Sequence, residues 1–219
     1  MFLRKPKGFT LIELMVAMVV GLLVAGVAMA MYVSLIRANS TSIQAARLTQ
    51  ALQASLDVME RDLRRAGYMA NAISSSLNTT LVNPATFVIT DLQRVSAAAP
   101  LFDCVLIRYD SNADGVLSGS NEIIGYRYNG TLQAIEFKSW STAATQQSER
   151  CINTGTAWEA ITNNGFTLVT NLSFEISPST GASTQGQRQV TITIVGRSKQ
   201  NQALDMQLQR EVRLRNDEY

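Results

Sequence analysis

The spacing of apolar residues changes three times along this chain, and each change predicts an element. From Leu14 to Val33 no charged or strongly polar side chain occurs. Such a run of about 20 residues is long enough to cross a bilayer as a helix. Past Val33 the pattern opens out. Ile36, Ile43, Leu48, Leu52, Leu56, Met59 and Leu63 recur at intervals of mostly three, four or seven. That is a single stripe on a 3.6-residue period, with Gln44, Arg47, Gln50, Gln53, Asp57, Glu60, Arg61 and Arg64 on the other faces. No proline falls between Pro6 and Pro84, so one helix is expected from Phe9 to Ala66. Its first half (9–36) is apolar all round and its second half (37–66) on one side only. Gly21 and Gly26 interrupt the first half as loosening or close-contact positions. Gly67, after Arg64-Arg65-Ala66, is the expected stop. The stripe is too short and irregular for a coiled coil. Its large side chains, at about 1.5–3 kcal/mol each when buried, suit packing against the chain's own head.

Residues 67–100 are rich in Ser, Thr, Asn and Ala and read as a connection, with a short strand at Phe87–Thr90. From residue 101 to 219 strand patterns take over. Phe102–Tyr109, Phe166–Ile176, Gln189–Val195 and Met206–Leu214 are β-prone, and Val190, Ile192 and Ile194 alternate with threonines. Ile123–Tyr128 and Leu132–Phe137 flank Asn129-Gly130, which predicts a two-residue hairpin turn. Strands that follow one helix without βα alternation give an α+β fold: a long N-terminal helix packed on an antiparallel sheet. No internal repeat is evident, and one head of this size carries one core.

The N-terminus carries the most specific motif. A basic leader, residues 1–8 with Arg4, Lys5 and Lys7, ends in Gly8. The apolar run follows at once, with one carboxylate, Glu13, at its front. An ordinary secretory signal has a shorter apolar core and is cut after it. A plain membrane anchor fits the length and leaves Glu13 unexplained, although a carboxylate at a helix end can reach water. Carboxylates in membrane helices are costly and mark function. Gly8-Phe9-Thr10-Leu11-Ile12-Glu13-Leu14-Met15-Val16-Ala17-Met18 resembles the class III signal of type IV prepilins and pseudopilins. That resemblance implies cleavage between Gly8 and Phe9 by prepilin peptidase and N-methylation of Phe9. Glu13 becomes the fifth residue of the mature chain. It is expected to pair with the Phe9 ammonium of a neighbouring subunit during assembly. The motif covers only about the first thirty residues.

Shorter head motifs narrow the resemblance. Glu60-Arg61-Asp62-Leu63-Arg64-Arg65-Ala66-Gly67-Tyr68, Val105-Leu106-Ile107-Arg108-Tyr109 and Val212-Arg213-Leu214-Arg215-Asn216 are similar to minor pilins of the PilW type. A J-type minor pseudopilin of a type II secretion system has a similar helix and sheet. The PilW resemblance implies a subunit that primes pilus assembly in a tip complex with other minor pilins, the major pilin and an adhesin, serving adhesion or twitching motility. It would start in the inner membrane with its head in the periplasm and end in the extracellular fibre. The positive leader agrees, since basic residues before a first apolar helix hold that end in the cytoplasm.

Composition removes several functions. The net charge of +2 becomes −1 without the three basic residues of the leader, which gives no electrostatic case for nucleic acid. There is no histidine, the commonest general base and metal ligand. No phosphate-binding glycine loop and no nucleophile beside a base is visible, so no enzyme is expected. Two cysteines, Cys104 and Cys151, are expected to form a disulfide in an oxidising periplasm, two buried thiols being the alternative. Asp110-Ser111-Asn112-Ala113-Asp114-Gly115 has oxygen ligands at positions 1, 3 and 5 and glycine at 6, as a calcium loop does. Asn121 stands at position 12, where a closing Glu belongs, and Glu122 at 13. Both a calcium site (Asp110, Asn112, Asp114, Glu122 and a carbonyl near Val116) and a polar turn fit these residues. Arg61, Arg64 and Arg65 read as surface partners of Asp57, Glu60 and Asp62. Trp140 and Trp158 read as packing residues near Cys151.

Overall fold

The computed structural model describes residues 8–70, 91–93, 102–114, 121–140, 151, 158–162, 165–177 and 189–214. By its contacts the chain divides into two compact units, residues 1–44 and 45–219. One helix, α1 (Leu11–Arg65), runs through the boundary, close to the expected limits.

In the first unit every described residue from Gly8 to Ile43 is exposed. An 18-residue window of this stretch has a mean hydropathy of 2.6, and none of it is buried. Such an apolar surface is unfavourable in water and suits lipid or other helices. The expected stripe therefore starts later than its periodicity. Ile36 and Ile43 are exposed, whereas burial begins at Leu48. The 3.6-residue spacing is a property of the helix alone; burial also needs a covering strand.

The second unit begins with the amphipathic part of α1. Leu48, Leu52, Leu56, Met59 and Leu63 are fully buried, and Ser55 among them donates its hydroxyl to the Ala51 carbonyl at 3.0 Å. The helix ends as expected. Gly67 takes a left-handed φ of 72°, and the Ala66 and Tyr68 N–H groups donate three residues back, to Leu63 and Arg65. The described residues beyond the helix then form two antiparallel sheets where periodicity suggested one.

The first sheet holds β1 (Asp91–Gln93), β2 (Cys104–Arg108), β3 (Ile123–Asn129), β4 (Ala134–Trp140) and β5 (Glu159–Ala160), in that order. The second holds β6 (Thr167–Ser177), β7 (Gln189–Ser198) and β8 (Asp205–Arg213). All pairings are antiparallel, and a bridge between Phe102 and Phe174 joins the sheets. The expected strand at Phe87–Thr90 lies outside the described residues. The segment Cys104–Arg108 is buried on both faces: Val105 and Ile107 join the core under α1, and Cys104 and Leu106 join a second cluster with Ile123, Trp140 and Cys151.

Two details depart from simple alternation. In β6 the inward residues change phase from Thr167 and Val169 to Leu172 and Phe174. A bulge between Val169 and Asn171 makes that possible by inserting one residue. The Asn129-Gly130 turn is also not the two-residue hairpin expected. Asn129 pairs with Ala134, which leaves a four-residue loop, 130–133, and places Leu132 outside the strand. The Asn129 side-chain oxygen accepts the N–H groups of Thr131 and Leu132 at 3.0 and 3.1 Å. Gln133, at φ 50°, takes the left-handed position that returns the chain to β4. The asparagine acts through its side chain here and not through a left-handed backbone.

The common core lies between α1 and the two sheets. The inward face of β7 carries Val190, Ile192 and Ile194, and then Gly196. A Cβ at Gly196 would stand 2.9 Å from a Leu52 methyl carbon, so glycine is what lets helix and strand approach here. On β3, Tyr126 is buried and donates its hydroxyl to the Asp62 carboxylate of α1 at 2.5 Å. Burial first, and then that hydrogen bond and the Asp62 charge, push the phenol well above its usual range.

Candidate functional site

Three places gather the residues singled out by sequence. The first is the N-terminus. Gly8 and Phe9 are exposed and precede the helix, which starts at Leu11. A peptide bond outside the helix needs no unwinding before a peptidase can hold it. Thr10 occupies the N-cap. Its hydroxyl accepts the Glu13 N–H at 3.3 Å and lies 3.5 Å from the Glu13 carboxylate, and its carbonyl accepts the Leu14 N–H at 3.2 Å. Thr10-x-x-Glu13 is thus a capping box in sequence, with the threonine half formed. The carboxylate also sits at the positive end of the helix dipole. Sequence reading singled out Glu13 and missed Thr10, although Thr followed three residues later by Glu is the signal of a helix start.

The second place follows β2. Asp110, Asp114 and Glu122 lie so that one carboxylate oxygen from each is within 4.8 Å of the others. Asp110 and Glu122 are buried and Asp114 is exposed. Glu122, one position late for a regular calcium loop, is still brought to the cluster. Asn121 before it takes φ 69°, and the Tyr109 N–H donates to the Glu122 carbonyl at 3.0 Å. Asn112 stays beside the cluster: its oxygen accepts the Asp114 N–H at 3.0 Å and its amide donates to the Asp114 carboxylate at 2.8 Å. Gly115 and Val116 lie outside the described residues.

Asp110 has a second task that sequence did not show. Its carboxylate accepts the N–H groups of Ala70 at 3.0 Å and Asp114 at 3.2 Å, while its own N–H donates to the Tyr68 carbonyl at 2.8 Å. The Gly67 N–H donates to the Arg108 carbonyl at 2.9 Å. The chain leaving α1 is therefore fastened along the end of β2. Oxygen-rich, acidic and partly buried, the cluster has the chemistry of a hard-cation site.

The third place is the disulfide. Cys104 and Cys151 are bonded, with Cα atoms 6.3 Å apart, and both are buried. Arg127 reinforces the anchorage. Its Nε pairs with Glu136 at 2.7 Å, its Nη1 donates to the Cys151 carbonyl at 2.9 Å, and its guanidinium lies 4.3 Å from the Trp158 ring centre. Asn129 donates to the other Glu136 oxygen at 2.8 Å. Trp140 and Trp158 meet edge to face, 5.8 Å apart. Both indoles pack, as expected. Two of the three arginines near the end of α1 pair as expected: Arg64 with Glu60, and Arg65 with Asp62 at 3.9 Å. Arg210 of β8 adds contacts to Asp57 at 3.2 Å and Glu60 at 3.4 Å.

An exposed glycine-phenylalanine bond ahead of one long apolar helix, with antiparallel sheets packed on the later part of that helix, defines the class: a pilin-like prepilin, made as a membrane-anchored precursor. Residues 3–29 match the prokaryotic N-terminal methylation motif. Residues 41–214, well over half of the chain, match prepilin peptidase-dependent protein B, and the chain belongs to that family. Dependence on prepilin peptidase follows from the membership. No curated protein and no solved structure matches the chain.

Proposed function

We propose that this chain is a minor pilin of a type IV pilus. Cleaved after Gly8 and methylated on Phe9, it enters the fibre through the apolar part of α1 and helps prime assembly. Its partners are other minor pilins, the major pilin and an adhesin at the tip, in fibres that serve adhesion or twitching motility. The chain has no catalytic role in this reading, and nucleic acid is not a partner. The observation that carries it is the exposed apolar stretch from Phe9 to Ile36 with a single carboxylate in its first turn. In the lone chain Glu13 is held by Thr10. In lipid or in a helix bundle that carboxylate is costly, and an ammonium group from a neighbour offsets the cost. A subunit seated at the wrong height would leave the carboxylate without its partner.

The test is incorporation into sheared fibres. Wild-type chain should appear in the sheared fraction, and Glu13→Ala should deplete it there while leaving it in the membrane. Equal incorporation of the two would refute the reading. A J-type pseudopilin of a type II secretion system has the same helix chemistry. Neighbouring genes for a secretion channel and a secretion ATPase would favour it, and neighbouring minor pilins with an adhesin the pilus.

The second reading concerns the head: a membrane-anchored periplasmic domain that binds calcium at Asp110, Asn112, Asp114 and Glu122. Two independent observations support it. The spacing of the first three residues is that of a calcium loop, and the fold brings Glu122 from farther along the chain to the same carboxylates. A divalent cation would relieve the repulsion of three carboxylates held this close.

A further inference from the structure

We infer that residues 37–44 form a joint in α1, a segment that opens and re-forms while the apolar stretch before it and the packed head after it keep their structure. It contains Asn39-Ser40-Thr41-Ser42, four successive residues of low helix preference. Their short polar side chains compete with the helix for its own backbone groups. The Thr41 hydroxyl donates to the Arg37 carbonyl at 3.1 Å and the Ser42 hydroxyl to the Ala38 carbonyl at 3.0 Å, contacts that weaken and bend helices. The Gln44 amide spans back to the Ser40 hydroxyl at 3.4 Å.

The surroundings give no compensation. Residues 37–43 are all exposed, and the buried stripe begins only at Leu48. The apolar run has ended by Ile36, so lipid does not hold the segment either. The division between the two compact units falls at Gln44 and Ala45. A helical stretch held by neither packing nor lipid persists only through its intrinsic preference, which is low here. Gly21 and Gly26 are weaker candidates for such a joint, although glycine is the poorer helix former. They lie inside the apolar stretch, where an opened peptide group would find no water to bond. At residues 37–44 water is available.

The inference deepens the assembly reading and rests on its membrane span. A span that must leave a bilayer and enter a helical bundle is freed, by the joint, from moving rigidly with the head. Hydrogen–deuterium exchange of the full chain in detergent micelles tests it. The amides of residues 41–46 should exchange at least about 100-fold faster than those of 50–62 and 16–32. Replacing Asn39, Ser40, Thr41 and Ser42 together by alanine should slow the fast set by roughly 10- to 100-fold and leave the other two unchanged. Protection of residues 41–46 equal to that of 50–62 would overturn the joint alone. Fast exchange of 16–32 as well would overturn the span and the joint together, since the helix would then be loose throughout.

Discussion

Replacing Tyr126 by phenylalanine removes one oxygen and asks how firmly α1 is pinned to the first sheet. The hydroxyl donates to Asp62 at 2.5 Å, and Tyr126 is 1% exposed. A hydrogen bond to a charged group is worth about 1.5–3 kcal/mol. The Asp62 carboxylate is 16% exposed and recovers some solvation when the phenol goes, so a loss of about 1–2 kcal/mol is expected at neutral pH. The pH dependence gives a second readout. Burial and Asp62 raise the folded-state phenol above its unfolded value of 10.0. Its contribution is therefore complete below pH 10 and declines as pH rises above it, because the unfolded chain releases the proton first. The slope approaches about 1.4 kcal/mol per pH unit well above pH 10, which amounts to about 1 kcal/mol between pH 10 and 11 and about 1.4 kcal/mol from pH 8 to 11. Tyr128, raised by burial, acts in the same direction but is present in both proteins. Denaturant unfolding of the full chain in detergent, followed by near-ultraviolet circular dichroism at pH 8, 10 and 11, measures the gap between wild type and Tyr126→Phe. Both cysteines are bonded, so thiol exchange does not confuse the alkaline points. The gap should be about 1–2 kcal/mol at pH 8 and should shrink, or change sign, by pH 11. A gap independent of pH would refute the role given to burial and Asp62.

Gly196→Val should destabilise the head by roughly 1–3 kcal/mol, because its Cβ would stand 2.9 Å from Leu52. In a Leu52→Ala background the added cost should be much smaller, and additive costs in a double-mutant cycle would show that the two do not touch. Cys104→Ser with Cys151→Ser opens a closure of 47 residues and should cost about 3–4 kcal/mol, read as a lower denaturation midpoint. An unchanged midpoint would mean that the bond only tethers a surface segment. For the calcium reading, millimolar calcium should raise the melting temperature of wild type and not of Glu122→Gln. No shift in wild type would leave these residues as a polar turn.

The long helix was legible because two different periods, continuous apolarity and then a 3.6-residue stripe, met without a proline. Its stop at Gly67 was legible because only glycine takes a left-handed φ without strain. The strands β7 and β8 followed from alternation. What alternation alone hid was the second sheet, since pairing partners far apart in sequence leave no local mark. The β6 bulge left a faint one: Val169 and Leu172 face the same core at a spacing of three, which a strand achieves only with an inserted residue. Asn129-Gly130 misled because asparagine favours turns in two ways, and its side chain prevailed over its backbone. At the candidate sites, Glu13, the cysteine pair and the Asp110 loop stood out by residue type and spacing. Thr10, the fastening of Ala70 by Asp110 and the contact of Arg127 with the Cys151 carbonyl depend on geometry or on a signal that a stronger motif overshadowed.

The most direct measurement is the mass of the N-terminal peptide from chain purified out of a membrane that contains prepilin peptidase. A peptide beginning at Phe9 and carrying one added methyl group on its amine is the predicted result. It should vanish when Gly8 is replaced by a bulky residue. A wild-type chain that keeps residues 1–8 intact in that membrane would contradict the account at its root.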